Sequence, residues 1–231
     1  MMMSDMHDLA NTRLLVFDWD GTLMDSEARI VACIRAAIGD LSLEPRSDAE
    51  IRNIIGLGLR EAIETLYPGR DERLHYDLTD RYRHHFLEAD PTPSRLFEGA
   101  AETVQRLHGE GYVLAVATGK GRRGLDRVLR ETGLGRYFHA TRCADETRSK
   151  PDPTMLLELM DELGAAPGET LMVGDTEYDM LMARNAGTGA LAVSYGVHAI
   201  ERLHRHEPLG CIDDIREFHA WLGGARAAVG A

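Results

Sequence analysis

Short apolar segments that end abruptly at polar turns constrain the fold of this chain more than any other feature of its sequence. The run RLLVF at 13–17 stops at DWDGT, and TLMVG at 170–174 stops at DTEYD in the same way. Such short runs are typical of parallel strands that are buried on both faces of a sheet. We therefore expect these two segments to lie in the interior of an α/β sheet.

Strand-like and helix-like segments alternate through the second half of the chain. Helices are predicted at 98–109, 122–133, 153–164 and 177–187, strands at 112–118, 137–143, 170–174 and 189–196, and a last helix at 212–222. This alternation indicates βαβ units. The sequence thus predicts an α/β fold with a doubly wound, Rossmann-like parallel sheet that has helices on both faces.

The segment 24–91 has a different character. Apolar residues recur there at helical spacing, for example in DSEARIVACIRAAI and GLREAIETLY, and no convincing strand is visible. The turn-rich DPTPS at 90–94 then returns the chain to the sheet. We predict two units, an α/β core formed by residues 1–23 and 92–231 and an inserted small helical cap formed by residues 24–91.

Composition and charge narrow the range of partners. The formal net charge is −12, which should repel nucleic acids and anionic membranes. No apolar run approaches the roughly 20 residues of a membrane span, and the polar segment 1–12 lacks the apolar stretch of a signal peptide. The three cysteines have no metal-like spacing and fit a reduced compartment. We expect a cytoplasmic monomer or homodimer with no nucleic-acid or membrane partner.

Residues with useful side-chain chemistry follow three of the predicted strands. The first strand is followed by Asp18 and Asp20. The second is followed by Thr118, Gly119 and Lys120, and a later one by Gly174, Asp175 and Asp179. Ligands of open α/β sheets bind outside the carboxyl ends of the strands. We therefore predict one shared site at this edge of the sheet.

The spacing of Asp18 and Asp20 suits phosphate chemistry. Alternate residues that leave a strand point the same way, so both carboxylates can face one site. Their mutual repulsion favours a cation between them, and Mg²⁺ is a hard cation that prefers oxygen ligands. One carboxylate can attack a phosphoryl group, and the other can protonate the leaving alcohol. A turn capped by its own aspartates is the alternative interpretation of this pair.

The other strand-end residues complement this pair. Thr118 offers a hydroxyl and Gly119 an unobstructed amide beside a helix N-terminus, and both suit phosphate oxygens. Lys150, in SKPDP, could neutralise phosphate and nucleophile. Asp175 could bind a metal, with Asp179 on the same helical face. Capping of that helix by its acidic residues is the simpler alternative.

Four motifs resemble, in their order and spacing, those of the haloacid dehalogenase-like (HAD) hydrolases: FDWDGTLMDS, VATG, SKPDP and VGDTEYDM. The resemblance covers about residues 13–196, and the helical insertion is similar to the small cap of the phosphoglycolate-phosphatase-like subgroup. It implies a Mg²⁺-dependent phosphomonoesterase that forms a phospho-aspartate. Family dehalogenases lack the second carboxylate, which Asp20 supplies here.

The resemblance implies a catalytic role for five motif residues. Asp18 is the implied nucleophile and also a metal ligand. Asp20 is the implied general acid and base, with its backbone carbonyl on Mg²⁺. Thr118, Lys150 and the amide of Gly119 would hold the transferred phosphoryl group.

The last motif supplies the implied metal residues. Asp175 would bind Mg²⁺ directly. Asp179 would support the water shell of the metal or Lys150, and Glu177 is an alternative for the water shell. These assignments follow from the resemblance alone.

The cap is expected to select the leaving group. In IGLGLRE at 55–61, Gly56 could let the backbone approach a small ligand, and Arg60 could pair with a carboxylate. A helix-connecting loop with Arg60 in solvent is the alternative. The first interpretation predicts a small phosphorylated metabolite such as 2-phosphoglycolate and leaves sugar phosphates, nucleotide monophosphates and pyrophosphate open. The alternative functions are a phosphomutase of the same fold and a non-catalytic phosphate-sensing module.

Overall fold

The computed structural model describes residues 9–229, with side chains as far as residue 224. The expectation that the chain has no signal peptide rests on residues 1–12, and most of these lie outside the described residues. Within the described part of the chain, none of the helices has the length and apolar character that a membrane crossing requires.

The structure alternates strands and helices over most of its length. In chain order the strands are β1 (Leu14–Phe17), β2 (Met24–Asp25), β3 (Arg95–Leu96), β4 (Val113–Thr118), β5 (Ala140–Cys143), β6 (Thr170–Gly174), β7 (Gly189–Val193) and β8 (Gly210–Ile212). The α-helices are α1 (Glu27–Asp40), α2 (Asp48–Asn53), α3 (Leu59–Leu66), α4 (Glu72–His84), α5 (Ala100–Gly109), α6 (Arg122–Thr132), α7 (Thr154–Leu163), α8 (Glu177–Ala186), α9 (Ile200–His204) and α10 (Phe218–Val229). A π-helical turn, His85–Ala89, extends α4.

Six strands form one parallel sheet in the order β5-β4-β1-β6-β7-β8. β1 lies inside the sheet, with Leu14 opposite Val113 on one side and Thr170 on the other. Every residue of β1, β6 and β7 is buried, which explains the continuous apolar character of these segments. The chain builds the sheet from β1 towards β5 and then from β6 to β8, which is the predicted doubly wound order.

Helices cover both faces of this sheet. Alternate residues of β1 point to opposite faces, and the residues on each face pack against a different set of helices. Leu15 and Phe17 belong to a hydrophobic cluster with residues of α5, α6 and α10. Leu14 and Val16 belong to a second cluster with residues of α7, α8 and α9. The predicted fold class is confirmed.

Sequence patterns miss the shortest elements. α2, α9 and β8 have only six, five and three residues, and such lengths give too little periodicity to recognise. The strand predicted at 189–196 ends at Val193, so residues 194–197 form a loop instead. The last helix begins at Phe218 rather than 212, because β8 occupies the start of the predicted segment.

The helices α1 to α4 share a hydrophobic cluster of their own, which includes Ile34, Ile51 and Phe86. The chain enters and leaves this segment at adjacent points because β2 and β3 pair antiparallel, with Met24 opposite Leu96. This arrangement suits a cap inserted into the core. The exact limits of the two units, at 24 and 91, remain a prediction.

Candidate active site

Three aspartates converge at the carboxyl ends of β1 and β6. Asp18 follows β1, Asp175 and Asp179 follow β6, and carboxylate oxygens of all three lie within 4.8 Å of one another. The two strands are parallel neighbours, and the winding of the sheet changes direction between them. All three side chains are buried. We call Asp18, Asp175 and Asp179 the acid cluster.

Lys150 balances part of the charge of the acid cluster. Its Nζ lies 2.9 Å from Asp18 Oδ1 and 2.6 Å from Asp179 Oδ1, and its side chain is fully buried. Burial alone would lower the pKa of Lys150, but Asp179 and Asp18 raise it above its ordinary value. Three ionised carboxylates and one ammonium still leave two net negative charges in a buried place, which is unfavourable without a further cation.

The acid cluster therefore fits a divalent cation. Burial raises the pKa of the Asp18 carboxyl to about 7, against the opposing effect of Lys150. Burial, together with Asp18 and Asp179, raises the pKa of Asp175 well above its ordinary value. Apart from the ion pair with Lys150, neither oxygen of Asp18 accepts a well-formed hydrogen bond from the described residues. A hard cation on these oxygens would stabilise their charged forms, and Asp18 and Asp175 are the residues that would hold it.

Two hydrogen-bond donors orient the Asp175 carboxylate, and two glycines leave room for it. The hydroxyl of Thr22 donates to Asp175 Oδ1 at 2.9 Å, and the amide of Val197 donates to Oδ2 at 2.8 Å. A side-chain carbon at Gly21 or Gly196 would overlap the Asp175 carboxylate. The loop 194–197 can therefore close over Asp175 only because a glycine lies there.

Asp179 and Glu177 have different surroundings. Asp179 Oδ1 accepts from Lys150 at 2.6 Å, and its Oδ2 accepts from the amide and the hydroxyl of Thr176 at 3.0 and 2.7 Å. Glu177 forms an ion pair with Arg202 at a partly exposed position. Asp179 therefore lies in the acid cluster and contacts Lys150, whereas Glu177, the alternative for the water shell of the metal, pairs with Arg202 outside the cluster.

The carboxylate of Asp20 lies outside the acid cluster and lines a cavity above it. The hydroxyl of Ser26 donates to Asp20 Oδ1 at 2.5 Å, and Lys120 Nζ lies 2.9 Å from Oδ2. The two aspartates of the first motif therefore occupy different electrostatic environments. Because the two carboxylates have different partners and positions, Asp18 can attack a substrate while Asp20 remains available for proton transfer.

Thr118 and Gly119 complete the core side of the site. Thr118 is buried at the end of β4, and its hydroxyl oxygen accepts from the amide of Lys120 at 3.2 Å. Both residues line the same cavity as Asp18 and Asp20. The structure thus brings seven sequence-predicted residues to one edge of the sheet: Asp18, Asp20, Thr118, Gly119, Lys150, Asp175 and Asp179.

The cavity has a volume of about 190 Å³ and lies between this edge of the sheet and the helices α1 to α4. The loop between α2 and α3 closes one side of it by docking on the core. Tyr178 Oη donates to the carbonyl of Asn53 at 2.7 Å, and the amide of Gly58 donates to Ser149 Oγ at 2.7 Å. We call residues 53–58 the docking loop.

The two cap residues predicted to bind substrate have different positions. Gly56 lines the cavity with φ +100°, and a side-chain carbon there would lie 3.0 Å from the Thr176 hydroxyl. Arg60 does not line this cavity: its side chain is 71% exposed and lies 2.5 Å from Glu72. Arg60 therefore matches the alternative interpretation, in which its side chain lies in solvent. The docking loop contacts the core, and this contact leaves the second residue of α3 facing outward.

Comparisons with known proteins agree with this geometry. The sequence model of the family described as haloacid dehalogenase-like hydrolase matches residues 15–193. The chain belongs to this family. A relative in Dickeya dadantii, named "Probable phosphatase IndB", is 38% identical over 93% of this chain and 94% of that protein. A phosphoglycolate phosphatase of Agrobacterium fabrum is 32% identical over 87% of this chain and 88% of that protein.

A solved structure has the same fold over almost the whole chain. The crystal structure of a hydrolase from Pseudomonas syringae superimposes with a TM-score of 0.84 at 24% identity, over 92% of this chain and 99% of that one. The predicted family and the predicted enzyme class, a hydrolase, are confirmed.

Sequence patterns do not reveal three contacts that support the HAD site. The position of Lys120 after the second predicted strand places it at the site, but its ion pair with Asp20 is not visible in the sequence. Thr22 lies within the first motif, but nothing in the sequence pairs it with Asp175. The contact of loop 194–197 with Asp175 is hidden because the predicted strand runs through this loop.

Proposed function

We propose that this HAD hydrolase is a Mg²⁺-dependent phosphatase that hydrolyses a small phosphate monoester through a phosphoryl group on Asp18. The main support is the position of a buried Asp18 carboxylate, with few hydrogen bonds, beside Lys150 and below the cavity that Asp20 also lines. A nucleophile, a cation and a separate acid therefore meet at a place that a phosphate group can reach.

In the first step Asp18 attacks phosphorus. A bond forms between a carboxylate oxygen and phosphorus while the bond from phosphorus to the ester oxygen breaks. Protonated Asp20 gives its proton to the departing oxygen. Lys150, which lies 2.9 Å from Asp18, compensates charge, and the Thr118 hydroxyl and Gly119 amide donate to phosphoryl oxygens.

In the second step water hydrolyses the acyl phosphate. Asp20, now ionised, accepts a proton from the water, whose oxygen bonds to phosphorus as the bond to Asp18 breaks. Ser26 and Lys120 hold the two oxygens of Asp20 in place for both transfers. When bound to Asp18 and Asp175, Mg²⁺ would neutralise the excess charge of the acid cluster and polarise the phosphoryl oxygens.

The proposed substrate is a small phosphorylated metabolite of the cytoplasm, in keeping with a formal net charge of −12 that disfavours nucleic acids and anionic membranes. The Agrobacterium fabrum relative is named for phosphoglycolate, which makes this ester the first compound to test. Arg60, the sequence-based partner for its carboxylate, pairs with Glu72 instead.

Phosphate release from a panel of esters, with and without Mg²⁺, tests the proposal. The panel contains the monoesters phosphoglycolate, a hexose phosphate, a nucleoside monophosphate and butyl phosphate, together with the anhydride pyrophosphate. We expect release from at least one monoester, and only with the metal present. Folded protein that releases no phosphate from any ester in Mg²⁺ would contradict the proposal. Activity that requires a sugar bisphosphate would indicate the mutase instead.

A further inference from the structure

The two sides of the cavity differ in chemistry. The core side contains charged and polar groups, among them Asp18, Asp20 and Thr118. The side formed by the helical segment is lined mainly by hydrophobic side chains. We call six of these the cap wall: Ile34, Ile54, Leu57, Leu59, Phe86 and Leu87.

The cap wall is held in place by packing. Ile34, Ile54 and Phe86 are buried members of the hydrophobic cluster of the helical segment, and Leu57 and Leu87 pack against that cluster. The wall therefore exists before any substrate binds. A preformed apolar surface opposite a few polar groups is typical of a small-molecule site whose ligand is itself partly apolar.

The cap side offers few partners to a polar leaving group. Among the described residues of 24–91 that line the cavity, only Tyr82 and Arg83 have polar groups in their side chains, and Arg83 is solvent-exposed. The hydroxyls of a sugar would lose water at the cap wall without gaining hydrogen bonds. Unpaired polar groups disfavour such a ligand strongly.

Two cations near the site, Lys120 and Arg60, already have carboxylate partners. Lys120 Nζ lies 2.9 Å from Asp20 Oδ2 and 4.5 Å from the centre of the Phe86 ring. A carboxylate close to the phosphate would have to compete with Asp20 for Lys120. Arg60 is paired with Glu72 outside the cavity. Arg83 and Arg123 line the cavity from solvent-exposed positions, where an ion pair with a small acid contributes little.

We propose that the substrate is a phosphate monoester of an apolar alcohol larger than glycolate, and that its carbon skeleton packs against the cap wall. This assignment rests on the phosphatase function proposed above, because it concerns the alcohol part of the same ester. The phosphate lies at the core side, and the hydrocarbon is transferred from water to the wall.

A series of n-alkyl phosphates tests the assignment. Methyl, ethyl, propyl and butyl phosphate release alcohols of similar acidity, so differences in kcat/KM report binding of the chain rather than chemistry. We expect kcat/KM to rise roughly fourfold with each methylene group. Butyl phosphate should exceed phosphoglycolate and glycerol 3-phosphate under the same conditions with Mg²⁺.

The outcomes separate the two proposals. A flat or falling series, or a preference for phosphoglycolate over butyl phosphate, overturns the apolar leaving group while leaving the phosphatase intact. Absence of release from every ester overturns the phosphatase function and, with it, the leaving-group assignment.

Two leucine variants connect the effect to the cap wall. Leu59→Gln places an amide in the wall at a half-buried position, and Leu157→Gln is the matched control on α7, where the side chain is 48% exposed. We expect the ratio of kcat/KM for butyl over methyl phosphate to fall at least about threefold in Leu59→Gln and to stay unchanged in Leu157→Gln. An equal loss for both esters in Leu59→Gln would show a structural effect only and would count against the proposal.

Discussion

The core side and the cap side of the cavity are built on different physical principles. On the core side, five ionisable groups are buried near the carboxyl ends of strands and held by ion pairs and hydrogen bonds, as in the contacts of Lys150 with Asp18 and Asp179. On the cap side, apolar side chains of the helical segment form the surface, and the docking loop joins the two sides. In the function proposed above, the chemistry depends on electrostatics at fixed positions, whereas substrate selection depends on shape and desolvation.

The largest effect should follow a change at the core side. Asp18→Asn keeps the shape of the side chain but removes the nucleophile, so we expect kcat to fall by at least about 10⁴-fold for every ester. The fold should persist, because Lys150 retains Asp179 as a partner. Phosphate release and thermal unfolding of the purified variant measure the two effects separately. Metal-dependent turnover by a clean preparation of Asp18→Asn would contradict the role of Asp18.

The second prediction concerns the boundary between the two sides. A side-chain carbon at Gly119 would lie 2.5 Å from the carbonyl oxygen of Leu57, so Gly119→Ala should displace the docking loop. We expect kcat/KM to fall by about 10- to 100-fold, because small displacements of positioned groups have effects of this size. Steady-state kinetics on the best ester measure it.

Gly39→Ala is the matched control for this prediction, since no atom lies near the position of its added carbon in α1. The control should retain the activity of the unmodified protein. If Gly119→Ala were equally active, the docking loop would not need its observed position for catalysis.

The sequence predicts the core side of the cavity better than the contacts between the core side and the cap side. The core residues were accessible because buried parallel strands give continuous apolar runs, and the reactive residues directly follow those runs, as Asp18 follows β1. The contacts that hold the two sides together join distant parts of the chain. Tyr178 and Asn53, for example, are 125 positions apart, and no local periodicity reports such a pair.

The position of Arg60 shows the same limit at the cap side. Helical spacing predicts α3, but the residues that face the cavity depend on where the docking loop touches the core. In the sequence, the glycines of the docking loop suggest that a ligand approaches the backbone. In the structure, Gly56 lines the cavity and also permits close contact of this loop with Thr176. Tertiary contact, not local pattern, determines which side chains reach the cavity.

A smaller effect should appear in the pH dependence of the free energy of unfolding, through His198, which lies near the docking loop. His198 is buried beside Tyr178, its Nδ1 accepts from the amide of Glu177, and burial lowers its pKa to about 4, with a further contribution from Arg202. Because the unfolded chain binds the proton more tightly, this contribution to stability is present above about pH 6.5 and is lost as pH falls towards 4.

Urea unfolding at about pH 7 and pH 5 measures this effect. We expect the unmodified protein to lose about 1–2 kcal/mol more of its free energy of unfolding between these pH values than His198→Gln does. His204→Gln, at an exposed position, is the control and should behave as the unmodified protein. An identical pH dependence in His198→Gln and the unmodified protein would show that His198 does not contribute.

The smallest effect is expected at Arg60. This side chain is exposed and pairs with Glu72, and exposed ion pairs contribute little, so Arg60→Gln should change kcat/KM for phosphoglycolate by less than about twofold. Glu72→Gln is the matched test in the opposite direction, because it releases Arg60 without removing it. A tenfold rise in KM for phosphoglycolate in Arg60→Gln, with other esters unaffected, would give Arg60 a role in binding acids. Unchanged kinetics in both variants would leave leaving-group selection to the apolar surface of the cavity.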